Sequence, residues 1–175
     1  MRSIKQLGLL AIVAGALLIP AASASALTQV SCTFDGVTGN LNPGIPGIAQ
    51  DLSPDSETGT FTYSGNVTCA GNDNGTPRQE SGPITASGTY NNMLCGTGSA
   101  EGNSTVTLPS GTVNAHFIIQ FRGGNGTIDI TNAVRNNGET GTGAGDAQLR
   151  PADGNCATTT VNTFQVLGGF AVTLA

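Results

Sequence analysis

The chain has no tryptophan, a single histidine (His116) and a single lysine (Lys5), and only 10% of its residues are charged. Ordinary soluble proteins carry roughly 25%. Beyond the first few residues the only basic side chains are Arg78, Arg122, Arg135 and Arg150, against eleven acids. Binding nucleic acid requires phosphate neutralisation by Lys and Arg, so no nucleic-acid partner is expected. An anionic membrane surface is disfavoured for the same reason. The absence of lysine from the body of the chain also excludes internal Lys–Asn isopeptide cross-links.

Catalytic signals are equally sparse. Any Ser-His-Asp or Cys-His site would have to be built around His116, and no G-x-S-x-G elbow accompanies it. The acids Asp51, Asp55, Glu57, Asp73, Glu80, Glu101, Glu139, Asp146 and Asp153 fall between the apolar stretches and read as solvated loop residues. Only Asp129 lies within a clear strand pattern, so the paired carboxylates of glycoside hydrolysis are not recognisable. Asn72-Asp73-Asn74 matches no calcium loop, and no CxxC or close Cys/His spacing suggests zinc. The expectation is therefore no catalytic residue, no metal and no cofactor.

The N-terminus is more telling. Arg2 and Lys5 precede an apolar stretch from Leu7 to Ile19, which Pro20 interrupts before the small-residue run Ala21–Ala26. This is the layout of a cleavable secretory signal, and the apolar stretch falls short of the about 20 residues needed to span a bilayer. Residues 1–26 are assigned to the signal and 27–175 to one secreted domain, with no membrane insertion after cleavage. Removing the signal leaves four arginines against eleven acids, a net charge of −7.

The rest of the chain shows no helical period. Gly and Thr, both poor helix formers, are abundant, and apolar residues recur with period two between turn-like clusters. Val30, Cys32 and Phe34 share one parity, as do Phe61, Tyr63, Val67 and Cys69, which puts Tyr63, and likewise Tyr90, on an apolar face. Ile84 to Leu94 and Gly102 to Leu108 continue the pattern. Val113, Ala115, Phe117, Ile119 and Phe121 form the clearest strand, and Gly123-Gly124-Asn125-Gly126 turns it into Thr127–Thr131. Thr158 to Leu174 reads as a last strand or strand pair broken at Gly168-Gly169. Gly39–Gly47 and Asn136–Asn155 read as loops, the latter containing the flexible-looking run Gly141-Thr142-Gly143-Ala144-Gly145. About seven to nine antiparallel strands with short turns predict an all-β domain. A sandwich is preferred on the thinness of the expected core, with a β-barrel as the alternative.

Four cysteines in an exported chain imply two disulfides, and three pairings are open. Cys32 and Cys69 both lie on apolar parities, which favours Cys32–Cys69 and leaves Cys95–Cys156. Opposite the apolar row of the clearest strand lies a polar row of Asn114, His116, Gln120 and Arg122, the candidate ligand-binding surface. The stretches Gly59–Cys69, Leu94–Gly98 and Val166–Leu174 resemble small secreted Gly/Thr-rich, four-cysteine β-proteins of actinobacterial type. That resemblance implies the fold and export, and no activity. Two functions fit these features. One is a non-enzymatic extracellular or cell-envelope structural or adhesive protein, self-assembling or held on a cell-surface polymer. The other is a soluble secreted binding module for a small ligand or glycan.

Overall fold

The computed structural model describes residues 28–47, 57–94 and 96–175. The signal segment and Cys95 lie outside the described residues. The chain forms eight strands: β1 (Thr28–Ile45), β2 (Glu57–Asp73), β3 (Thr76–Leu94), β4 (Thr97–Leu108), β5 (Gly111–Arg122), β6 (Asn125–Arg135), β7 (Thr140–Pro151) and β8 (Val161–Leu174). Each pairs antiparallel with its sequence neighbours, and β8 returns to β1 to close an up-and-down barrel. Of the two all-β architectures open to the sequence, the chain takes the barrel.

Two stretches expected to be loops are strand. Gly39 to Ile45 extends β1, and most of 136–155 is β7. β7 conceals itself because its inward positions begin with Gly141, Gly143 and Gly145, which leave no apolar alternation to read. Those glycines are required by close approach to β8. A Cβ at Gly141 or Gly143 would stand 1.8 or 2.1 Å from the carbonyl oxygen of Thr173 or Ala171. With β7 in place the sheet has no free edge, and closure follows.

Turns set the register elsewhere. Asn74-Gly75 links the paired Asp73 and Thr76, with φ of 50° and 83°. Gly123-Gly124 links Arg122 and Asn125, with φ of 61° and 80°. Positive φ at both central residues is what a type I′ hairpin requires. A bulge near Gly36 interrupts the alternation in β1, whereas β8 pairs with β7 without a break through Gly168-Gly169 and is one strand rather than a pair. Asn92, at φ 53°, shifts the phase near the end of β3, so that Met93 rather than Leu94 is fully buried.

The stagger sets the width of the barrel. Following paired residues once around gives Gly39, Tyr63, Ala86, Ser104, Ala115, Ala133, Gly141 and Leu174. Leu174 then meets Thr28, eleven positions back along β1 from Gly39. With about 3.3 Å per residue and 4.8 Å between strands, this stagger tilts the strands by roughly 45° and places the backbone about 8–9 Å from the axis. An eight-stranded barrel of this kind has an interior that side chains can fill or that can hold one small ligand.

The apolar parity faces inward, with Val67, Ile84, Tyr90, Phe117, Ile130 and Phe164 among the buried core residues. Outward positions are polar, as in Thr60, Thr62, Ser64, Asn66 and Thr68 of β2. A barrel that crosses a bilayer carries the reverse pattern, an apolar outer band. Cys32 and Cys69 face each other across β1 and β2 and form a disulfide on the inner wall. Such a bridge typically contributes about 2–4 kcal/mol. Cys156 is also disulfide-bonded; its favoured partner, Cys95, lies outside the described residues.

Candidate functional site

The polar row expected on β5 lies on the outer wall. Asn114 accepts a 2.8 Å hydrogen bond from the Thr105 hydroxyl. His116 lies 3.0 Å from the Thr131 hydroxyl through Nδ1 and 3.9 Å from Glu101 through Nε2. Both residues border a shallow outer trough that includes Thr38, Thr62, Thr85, Asn103 and Thr105. Gln120 and Arg122 sit further along the strand, beside Ser99 and Asn125. The four share one face, but it is a convex wall, and the trough is lined chiefly by hydroxyls and amides, with no charged group among its described residues.

The enclosed site is the barrel lumen. It contains a cavity of about 110 Å³. Interior residues including Val30, Phe34, Leu41, Tyr63, Ala115 and Phe170 remain only partly buried although they point inward. The reason is residue size. Along the register line through Tyr63, six of the eight positions are Gly, Ala or Ser: Gly39, Ala86, Ser104, Ala115, Ala133 and Gly141. Elsewhere a glycine admits a neighbouring ring, as Gly39 does for Phe164 and Gly59 for Tyr90. Large and small side chains therefore interleave around the taper; on that line Tyr63, Ser104, Ala115 and Leu174 border the cavity, whereas Ala86 and Ala133 are covered.

The two tyrosines are used differently. Tyr90 is fully buried and its hydroxyl donates to the Pro43 carbonyl. Tyr63 is flanked by Phe61 and Phe117, with ring centroids 6.1 and 6.2 Å away. Its hydroxyl has no hydrogen-bond partner among the described residues, and the residue lines the cavity. Burial pushes the Tyr63 phenol well above its ordinary pKa, so it stays neutral. The apolar parity of Tyr63 was legible in the sequence; the empty space beside it was not.

One end of the lumen is closed by charge. Arg135, buried at the end of β6, binds Asp73 through two contacts of 2.8 and 3.1 Å. It also donates to Glu139 at 3.1 Å and to the Ser110 carbonyl at 2.7 Å. Arg78 reaches Asp73 at 3.0 Å, and Glu80 accepts the Ser110 amide at 3.1 Å. Asp73 is held below the usual carboxylate range chiefly by the Arg135 hydrogen bonds. The Ser110 contacts do the same for Glu80, and the Asn74 amide, followed by Asn137 and Arg135, for Glu139. These three acids are thus not free solvated loop residues: Asp73 and Glu139 bind the Arg135 guanidinium, and Glu80 binds Ser110 and Arg78 beside it. The sequence signal was Arg135 at the parity of the buried Ala133, past a bulge that hides the phase.

The lumen offers apolar contact, neutral hydroxyls including those of Tyr63 and Ser104, and a fixed floor. It brings together no nucleophile and base. Among the described residues no group of three or more His, Cys, Asp and Glu is placed to hold a metal ion. No family model, no curated protein and no solved structure matches the chain.

Proposed function

We propose that the protein is a soluble secreted binding module that holds a small, mainly apolar ligand inside the barrel, without catalysing a reaction. The observation that carries this reading is an apolar cavity in a closed barrel whose outer wall is polar. A barrel needed only as a rigid body would gain stability by filling that space, since empty volume forfeits packing contacts. The secretory features of residues 1–26 and the Cys32–Cys69 bridge fit an oxidising extracellular setting. The structural or adhesive role is the weaker reading. Closure leaves no sheet edge on which copies could add as strands.

Benzene is a suitable first probe, because an apolar cavity of about 150 Å³ is known to accept it. Ligand that binds only the folded state raises stability by about 1.4 kcal/mol at ten times its Kd, which corresponds to a rise in Tm of roughly 4–5 °C at this size. The rise is expected for the wild type and not for Ala115→Leu, whose longer side chain enters the lumen. No shift in Tm, and no change in the NMR signals of lumen residues at saturating benzene, would overturn the proposal.

A further inference from the structure

We infer that the lumen is selective for neutral ligands carrying one hydrogen-bond acceptor, such as a small ketone, and that the Tyr63 hydroxyl is the group that reads it. This deepens the lumen-binding reading and rests on it. The argument starts from the general rule that buried polar groups find partners. Tyr90 obeys it through Pro43. Tyr63 is only partly buried; its hydroxyl meets no protein partner among the described residues, and the residue lines the cavity instead. The hydroxyl therefore reaches open space, and a bound acceptor gives it a direct partner, a net gain of about 1 kcal/mol.

The neighbours of Tyr63 decide what kind of acceptor fits. Its ring packs in a cluster with Phe61 and Phe117, which also touch each other, so the ring is braced before any ligand arrives. The cavity that Tyr63 lines is bordered on nearby strands by Ser104 and Ala115, whose small side chains leave room for the body of a ligand. No cation lines this middle part of the wall; Arg78 and Arg135 are engaged with Asp73 at one end. A carboxylate would enter an apolar space without a counter-charge, whereas a carbonyl accepts one hydrogen bond and buries the rest of its surface. The volume of about 110 Å³ limits the ligand to a small ring or short chain.

Cyclopentanone and methylenecyclopentane have nearly the same shape and differ in the acceptor. Their affinities for the oxidised wild-type protein and for Tyr63→Phe are to be measured by NMR titration. The ring that packs between Phe61 and Phe117 is kept in the variant, and its circular dichroism checks the fold. The ratio of ketone to hydrocarbon affinity is expected to fall about three- to tenfold in Tyr63→Phe, the effect of one neutral hydrogen bond, with hydrocarbon binding unchanged or tighter. An unchanged ratio, with both compounds still binding, would refute the role of Tyr63 and leave the lumen site standing. Failure of both compounds to bind the wild type would overturn the lumen reading and this inference with it.

Discussion

Replacing Arg135 with Met keeps a side chain of similar length at the closed end of the barrel and removes its charge. The substitution takes two hydrogen bonds from Asp73, one from Glu139 and one from the Ser110 carbonyl. Removing one partner from a buried ion pair typically costs about 3–5 kcal/mol. Asp73 still has Arg78 at 3.0 Å and Glu139 still has Asn74 at 3.0 Å, which places the expected loss near the lower figure, about 3 kcal/mol, or about 10 °C in Tm. The pH dependence gives a second constraint. Both carboxylates titrate below their ordinary range in the folded protein, Asp73 chiefly because of Arg135. Their stabilisation is complete above the unfolded carboxylate pKa of about 4 and is lost as pH falls through the lower folded values. The wild type therefore loses more on acidification than the variant, and the gap between them narrows below pH 4. Urea unfolding at pH 7 and pH 3, followed by circular dichroism, measures both quantities. A loss below about 1 kcal/mol at pH 7, far under the range for a broken buried pair, or a gap that persists unchanged at pH 3, would refute the role assigned to this cluster.

Gly143→Val places a branched side chain where a Cβ alone would stand 2.1 Å from the Ala171 carbonyl oxygen. Because β7 and β8 must separate, the expected loss is at least about 3 kcal/mol, the upper end for overpacking, measured by urea unfolding or as failure to recover folded monomer; wild-type stability would contradict the close-approach argument. His116→Ala with Arg122→Ala removes two outer-wall side chains. It should change stability by no more than about 0.5 kcal/mol per site and leave benzene binding unaltered, and loss of binding would return the site to the β5 outer row.

The strands with side chains on their inward positions were legible from the sequence. Val113 to Phe121 alternates cleanly, and the two-residue turns at Asn74-Gly75 and Gly123-Gly124 punctuate it. The favoured Cys32–Cys69 pairing followed from parity and is present. What the sequence hid was β7. Hydrophobic periodicity detects a strand through the side chains it buries, and Gly141, Gly143 and Gly145 bury none. The preference for a sandwich rests on the few large side chains in a domain of this length, which suggest a thin core; the barrel closes through β7, the strand those glycines hide. The same blindness extends to the site. The outer row on β5 was visible because its residues are polar, whereas the lumen is defined by the absence of side-chain volume around Tyr63. Asp73, Glu80 and Glu139 were read as loop acids because each lies at or near a hairpin turn. Only the closure of the barrel brings those turns to one end.

Glycine inside a barrel and charge at its end address two sides of one physical problem. Small inward residues make room, but an apolar room in water is unstable against being filled by the protein's own side chains. An apolar plug at the end of the lumen could slide inward and gain contacts by doing so. Arg135 cannot. Moving it toward the Ala86–Ser104–Ala115 line would separate it from Asp73 and Glu139 and leave three charges in an apolar space, at a cost of several kcal/mol per ion. The guanidinium is held instead from three hairpin turns, by Asp73, by Ser110 and by Glu139. The floor of the lumen is thus fixed by groups that lose more by entering the cavity than they gain by filling it.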